Sequence, residues 1–249
     1  MAGRATPALF AASLALAGCG PDATPAPAPT ASPSATVSAT PLPEPSEAPE
    51  AEPSAEPSRI AGATFAPRDE CSSAPGFPAF HKSLVSAIKA RDDEALATLA
   101  APDITLDYGG GSGADELRKR LGEPDRKLWS ELDGILPLGC AVEGGLAAMP
   151  WVFWNVPEQV DSYSAMLVTG EDAELLDGRK GKPLGQIGWR IVGTDPLKYD
   201  PKARMTQVTL DTGEKGWVES RRLRSLLDYR LIAEPKDGTW QITAFIAGD

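Results

Sequence analysis

The residues able to do chemistry in this 249-residue chain are few, beginning with a single histidine, His81. General acid–base or triad catalysis would have to use it. A serine nucleophile needs a strained elbow, and Gly110-Gly111-Ser112-Gly113-Ala114 fails the Gly-x-Ser-x-Gly pattern at its last position. His81 follows Phe80 on a helical run, where an isolated histidine is an ordinary surface or capped residue. A Cys/His pair would draw on Cys140, but Leu136-Pro137-Leu138-Gly139-Cys140 is an apolar context that does not stabilise a thiolate. Asp103 and Asp107 could act as an acid/base pair, yet nothing nearby would raise the pKa of either. The glycine loop at 109–113 could offer backbone N–H groups to an anion, but it lacks the Gly-Lys-Ser/Thr of a phosphate loop. The aromatic run Trp151-Val152-Phe153-Trp154 reads as a core strand or an interface, with an exposed sugar or peptide platform as the alternative. With Trp189 and Trp217 assigned to a barrel core or its groove, Trp151, Trp154, Trp189 and Trp217 form the candidate binding surface.

The N-terminal residues carry a sharper signal. Arg4 precedes an apolar run from Ala8 to Ala17, too short for a comfortable membrane helix. The run ends Leu16-Ala17-Gly18-Cys19, which resembles the lipobox of bacterial lipoproteins. The resemblance implies export, cleavage before Cys19, a diacylglycerol on its sulfur and an acyl group on the new amine. The expected location is the bacterial cell envelope, lipid-anchored and facing the periplasm. Gly20 and Pro21 do not resemble the inner-membrane retention signal with aspartate at the second place, which leans to the outer membrane. With Cys19 carrying lipid, Cys71 and Cys140 remain as an even pair in an oxidising compartment and are expected to form a disulfide. One histidine and two oxidised cysteines cannot supply a nitrogen- and sulfur-rich zinc site, so no metal and no cofactor is expected.

Charge narrows the partners. The chain carries a formal net charge of −11. Asp22, Glu44, Glu47, Glu50, Glu52 and Glu56 fall in residues 20–58 with no base among them. An acidic domain on an acidic tether lacks the clustered Lys and Arg that nucleic acid or anionic headgroups require. Membrane attachment is therefore expected through the acyl chains. Residues 20–58 are Pro, Ala, Ser, Thr and Glu without an aromatic residue, too poor in apolar surface to offset ordering entropy. They read as a tether able to reach on the order of 100 Å.

The elements that would position these groups change character along the chain. Phe80, Leu84 and Ile88 recur at a spacing of four, which predicts an amphipathic helix. Asp92 or Asp93 caps a short second helix with Leu96 and Leu99 inward. Ile104 to Tyr108 alternates as a strand. Ser112-Gly113-Ala114-Asp115 looks like a capping box for a helix holding Leu117 and Leu121. Asp125 is placed as the cap of a helix burying Leu128, Leu132 and Ile135. After Cys140 short alternating runs take over: 163–168, 185–192, 205–210, 216–219, 228–233 and 239–246. Asp211-Thr212-Gly213 and Lys236-Asp237-Gly238 mark turns. The fold class expected is α+β, an N-terminal helical region followed by antiparallel strands that include a small barrel.

Two further resemblances refine that reading. Gly213-Glu214-Lys215-Gly216-Trp217-Val218-Glu219 followed by Arg222-Leu223 resembles the closing strand and turn of a bacterial Src-homology-3-like domain. The usual Asn-Val-Arg opening is replaced by Asp172-Ala173-Glu174-Leu175-Leu176, and 193–204 looks inserted. Cell-wall peptidases bearing such domains add a Cys/His catalytic domain or a Ser-His-Gly-Cys-type motif, and neither is found here. The joint Lys89-Ala90-Arg91-Asp92-Asp93-Glu94-Ala95-Leu96 and the closing run Asp237-Gly238-Thr239-Trp240-Gln241-Ile242-Thr243-Ala244-Phe245 resemble the start and final strand of a nuclear-transport-factor-2-like fold. The organisation expected is a signal peptide at 1–18 and a lipidated, disordered tether at 19–64. A helical α+β region at 65–160 and a Src-homology-3-like barrel at 161–226 follow. A C-terminal hairpin at 227–249 follows, with two arrangements open: it completes the N-terminal sheet of a split domain or, more plainly, belongs to the second of two adjoining domains. The function expected is non-catalytic binding of peptidoglycan or an envelope protein. A small-molecule or enzymatic pocket and a structural assembly role are the alternatives.

Overall fold

Among the described residues four α-helices lie against one sheet, and the spacing of apolar residues explains why. In α1 (Phe77–Ala90) the residues Phe77, Phe80, Leu84, Ala87 and Ile88 share the buried face. Arg91 ends it in a left-handed conformation, and the Asp92 carboxylate caps α2 (Asp93–Thr98) by accepting the Ala95 N–H at 2.8 Å. Two more helices, α3 (Ala114–Leu121) and α4 (Leu128–Ile135), bury Leu117, Leu121, Leu128, Leu132 and Ile135. The coordinates are a computed structural model that describes residues 58–248. The expectations placed on residues 1–57, including the signal, the lipidated Cys19 and most of the tether, lie outside the described residues.

The first sheet runs in the order β1 (Ala100–Thr105), β12 (Thr239–Ile246), β11 (Arg230–Lys236), β3 (Leu146–Met149), β2 (Ala141–Glu143). Its centre is the hairpin β11–β12, closed by Asp237 and Gly238, both at positive φ. β12 pairs in parallel with β1, while the other ladders are antiparallel. Leu84, Ile88, Leu96, Ile104, Leu117, Leu132, Ile135, Met149, Leu231 and Ile242 are all fully buried and fill the space between helices and sheet. The fold is α+β, as expected.

The second sheet runs in the order β10 (Leu223–Ser225), β4 (Ala165–Val168), β7 (Ile191–Gly193), β8 (Met205–Thr209), β9 (Lys215–Glu219), β5 (Glu174–Leu176), β6 (Pro183–Gln186). Val168, Leu175, Ile187, Val192, Val208 and Val218 form its own core. A third cluster, built on Ala141, Trp151, Val152 and Leu167, joins the two sheets.

Several local expectations are corrected. Within 58–64, Ser58 and Ile60 are tied to the second sheet while 61–64 stay exposed: Ile60 N–H donates to Gln186 O at 2.9 Å, Gln186 N–H to Ser58 O at 3.0 Å, and Ile60 sits half-buried on the second core. The run 151–154 is a 3₁₀ turn, not a strand; Phe153 N–H returns to Pro150 O at 3.1 Å and Asn155 Nδ2 caps Trp151 O at 2.9 Å. The run 185–192 splits between β6 and β7, because a Cβ at Gly188 would lie 2.0 Å from Gly170 O and Trp189 adopts φ 60°. The strand read at 104–108 begins at Ala100 and ends at Thr105, beyond which the chain turns back through Leu106 N–H to Gly111 O at 2.9 Å. Neither Ser112 nor Asp125 caps a helix: Gly113 and Lys127, both at positive φ, hold those positions.

Candidate functional site

The sequence-predicted groups are mostly occupied by the fold. The sulfurs of Cys71 and Cys140 are at bonding distance as a disulfide, with Cα atoms 5.7 Å apart. No thiolate is left there for His81, which stacks on Phe77 with ring centroids 5.9 Å apart. His81 lines a cleft of about 310 Å³ with Asp69, Ser72 and Cys140. Asp107 accepts the N–H groups of Gly109 and Gly111 at 2.8 Å and an Arg120 N–H at 2.6 Å. The Gly111 N–H and the Arg120 guanidinium hold the Asp107 carboxyl below its ordinary range, which makes it a poor proton donor. The same bonds spend the loop donors that an anion would need.

The candidate tryptophan surface is also corrected. Trp151 is buried, its Nε1 donates to Glu70 at 2.7 Å, and the Arg68 guanidinium lies 4.7 Å from its ring centroid. Trp154 and Trp189 pack half-buried on the junction cluster. Trp217 belongs elsewhere, on β9, with the Arg179 guanidinium 4.8 Å from its ring centroid. Trp151, Trp154 and Trp189 thus share one cluster, in which Trp151 is buried, while Trp217 lies apart from them.

Arg179 was not singled out from the sequence, and it lines two clefts on the second sheet. Residues 177–182, Asp-Gly-Arg-Lys-Gly-Lys, form the turn between β5 and β6. The Asp177 carboxylate accepts Lys182 N–H at 2.8 Å and Gly181 N–H donates to Gly178 O at 3.0 Å. A Cβ at Gly181 would lie 1.7 Å from the Asp177 carboxylate, so the turn closes only with glycine there. The result holds Arg179 and Lys180 at its tip. Facing them is Arg204, fixed through its carbonyl by Ser220 N–H at 3.0 Å, and the 3₁₀ turn Ser220–Arg222 with Arg221 and Arg222. A buried hydroxyl pair, Thr206 with Ser220 at 2.7 Å, pins that turn to β8.

These residues line a cleft of about 490 Å³ that also contains Asp172, Glu174 and Glu219. A second cleft of about 340 Å³ shares Arg179 and Met205 with it and adds Lys198, Tyr199, Lys215 and Trp217. Arg222 pairs with Asp172 at 2.7 Å and Arg221 with Glu219 at 2.6 Å. A Gly-bracketed basic turn in an acidic chain was the signal that could have found the site. An apolar cleft of about 650 Å³ lies at the first sheet around Pro75, Val142, Pro235 and Trp240, whose indole N–H is already spent on Pro75 O at 2.9 Å. Among the described residues no group of His, Cys, Asp and Glu is placed to hold a metal ion, and no helix is long and apolar enough to cross a membrane.

No protein-family model and no curated protein matches the chain. Solved structures align with it weakly. A protein described as a calcium/calmodulin-dependent protein kinase II association domain from Xanthomonas campestris is 12% identical, covering 76% of this chain and 98% of its own, with a TM-score of 0.30. A de novo designed protein with a curved β-sheet is 9% identical over 70% of this chain and 99% of its own, at a TM-score of 0.27. A protein described as a ketosteroid isomerase from Shewanella frigidimarina is 8% identical over 68% of this chain and 92% of its own, at 0.25. Scores this low carry no argument about function, and the α+β class rests on the strand order above.

Proposed function

We propose that this chain is a lipid-anchored, non-catalytic binding protein of the bacterial cell envelope. Its second sheet acts as a Src-homology-3-like module that presents the Arg179–Trp217 clefts to a cell-wall or envelope-protein ligand. The observation that carries the reading is the cationic cleft: Arg179, Lys180, Arg204, Arg221 and Arg222 converge in a chain whose net charge is −11. The buried aliphatic side chains between the helices and the first sheet support docking at a surface over capture in a cone-like interior. Anchoring by acyl chains on Cys19 would hold the head at one membrane face and raise its effective concentration there.

Two measurements test this. Mass spectrometry of the native protein should show cleavage before Cys19 and acyl mass on it; an uncut leader with a bare thiol overturns the location. The protein should also co-sediment with purified peptidoglycan or cross-link to an envelope protein in cells. A head that stays in the supernatant and captures no partner defeats the binding reading.

A further inference from the structure

We propose that the cleft between the 177–182 turn and Arg204 takes an acidic peptide segment of a partner protein, reading its side-chain carboxylates. This rests on the binding reading above and narrows it to one ligand class. Arg221 and Arg222 are matched by Glu219 and Asp172. Arg179, Lys180 and Arg204 are not: among the described residues no hydrogen bond or ion pair reaches their side chains, apart from the stacking of Arg179 on Trp217 at 4.8 Å. Stacking uses the face of a guanidinium and leaves its in-plane N–H donors for a carboxylate. The Asp177 and glycine contacts fix the backbone of the turn that carries Arg179 and Lys180, and the Trp217 ring orders the Arg179 guanidinium, which lowers the entropy lost on binding.

The remaining lining selects among anions. Glu174 has no cationic partner among the described residues, and Glu219 and Asp172 stand beside their arginines in the same cleft. Carboxylates interleaved with the cations disfavour a dense phosphate polymer or an anionic bilayer, which would set negative charge against them at every position. A peptide with spaced carboxylates can meet the unmatched cations and avoid the acids. Leu176 and Met205 give its aliphatic parts an apolar floor.

The test titrates the full-length protein at low salt with a synthetic peptide of alternating Glu and Ala, with its Gln and Ala counterpart, and with inorganic polyphosphate. The Glu peptide should saturate and bind at least tenfold tighter than either control. The Lys180→Gln, Arg204→Gln double variant should lose at least tenfold, while Arg204→Lys keeps most of the binding. Independently of any variant, carbodiimide cross-linking of the Glu peptide to the natural chain should map to Lys180. Equal binding of the Gln peptide, tighter binding of polyphosphate, no saturable binding, or cross-links that avoid Lys180 would each overturn the assignment. Failure here with retained co-sedimentation or partner capture removes the ligand class alone; failure of both removes the binding reading.

Discussion

The indole N–H of Trp151 donates to the Glu70 carboxylate at 2.7 Å, and the other oxygen of that carboxylate accepts the Val142 N–H at 3.3 Å. One acid ahead of α1 thus ties the 3₁₀ turn at 151–154 to the edge of the first sheet. Replacing Glu70 by Ala leaves a buried indole donor unmatched and should cost about 1–3 kcal/mol. Glu70→Gln keeps an acceptor and should cost less. Urea unfolding followed by tryptophan fluorescence reads both, and equal midpoints for all three proteins would refute the coupling.

The disulfide joins residues separated by 69 positions and fixes the segment before α1 beside β2. Closing a loop of that length stabilises by about 4 kcal/mol in the chain-entropy model. The Cys71→Ser, Cys140→Ser double variant should lose stability of that order under oxidising conditions. Denaturant midpoints for the variant and for the reduced natural protein should agree. Two free thiols in unfolded protein recovered from an oxidising compartment would sink the bridge itself.

Arg120 is buried and bridges Asp107 at 2.6 Å and Glu116 at 2.8 Å. The Gly111 N–H and then Arg120 lower the Asp107 pKa, and Arg120 lowers that of Glu116. Carboxyls lowered on folding stabilise above their unfolded pKa of about 4, and that contribution disappears as pH falls through the lower folded values. Arg120→Met should lower the melting temperature at neutral pH, with the difference narrowing in acid. A difference constant with pH would contradict the linkage.

Glu131 behaves in the opposite sense. Burial raises its pKa first, and the nearby Asp228 adds to the rise. An acid whose folded pKa is raised disfavours the folded state when ionised, so its cost is present at neutral pH and relieved as pH falls below the ordinary carboxylate range. Glu131→Gln should therefore raise the melting temperature at neutral pH and give no gain in acid. Loss of stability at neutral pH would show that Glu131 is held by partners stronger than its burial.

Gly139 adopts φ 75° and ψ −175°, a conformation open in practice to glycine alone. A Cβ there would lie 2.2 Å from Arg68 O, the acceptor of Cys140 N–H at 2.8 Å. Gly139→Ala should cost roughly 1–3 kcal/mol through backbone strain. Its denaturation midpoint beside that of Gly144→Ala, where the added atom meets nothing within 4 Å, separates the close approach from positive φ alone.

Elements governed by neighbours in sequence were the legible ones. The four-residue spacing of Phe80, Leu84 and Ile88 gives α1, Asp92 caps α2, and the turn residues Asp237 and Gly238 close the β11–β12 hairpin. The failures were of another kind. Trp151 to Trp154 alternates like a strand, but Pro150 and the side-chain cap from Asn155 curl it into a 3₁₀ turn. Residues 58–64 have tether-like composition, yet Ile60 finds the second core and Arg190 reaches the carbonyl of Ala61. The cleft was missed because Arg179 and Arg204 lie far apart in sequence, and only the fold sets them on one rim.

By itself the sequence determined periodicity, turn chemistry and the acidic balance, all properties of residues a few positions apart or of composition. Only the tertiary structure decided that β12 lies between β1 and β11, with Ile242 opposite both Ala100 and Ala233. It also decided which tryptophans are buried and which arginines are left without an acid. Those outcomes depend on apolar burial and charge pairing between segments that meet only after the chain has closed on itself, and no local pattern encodes them.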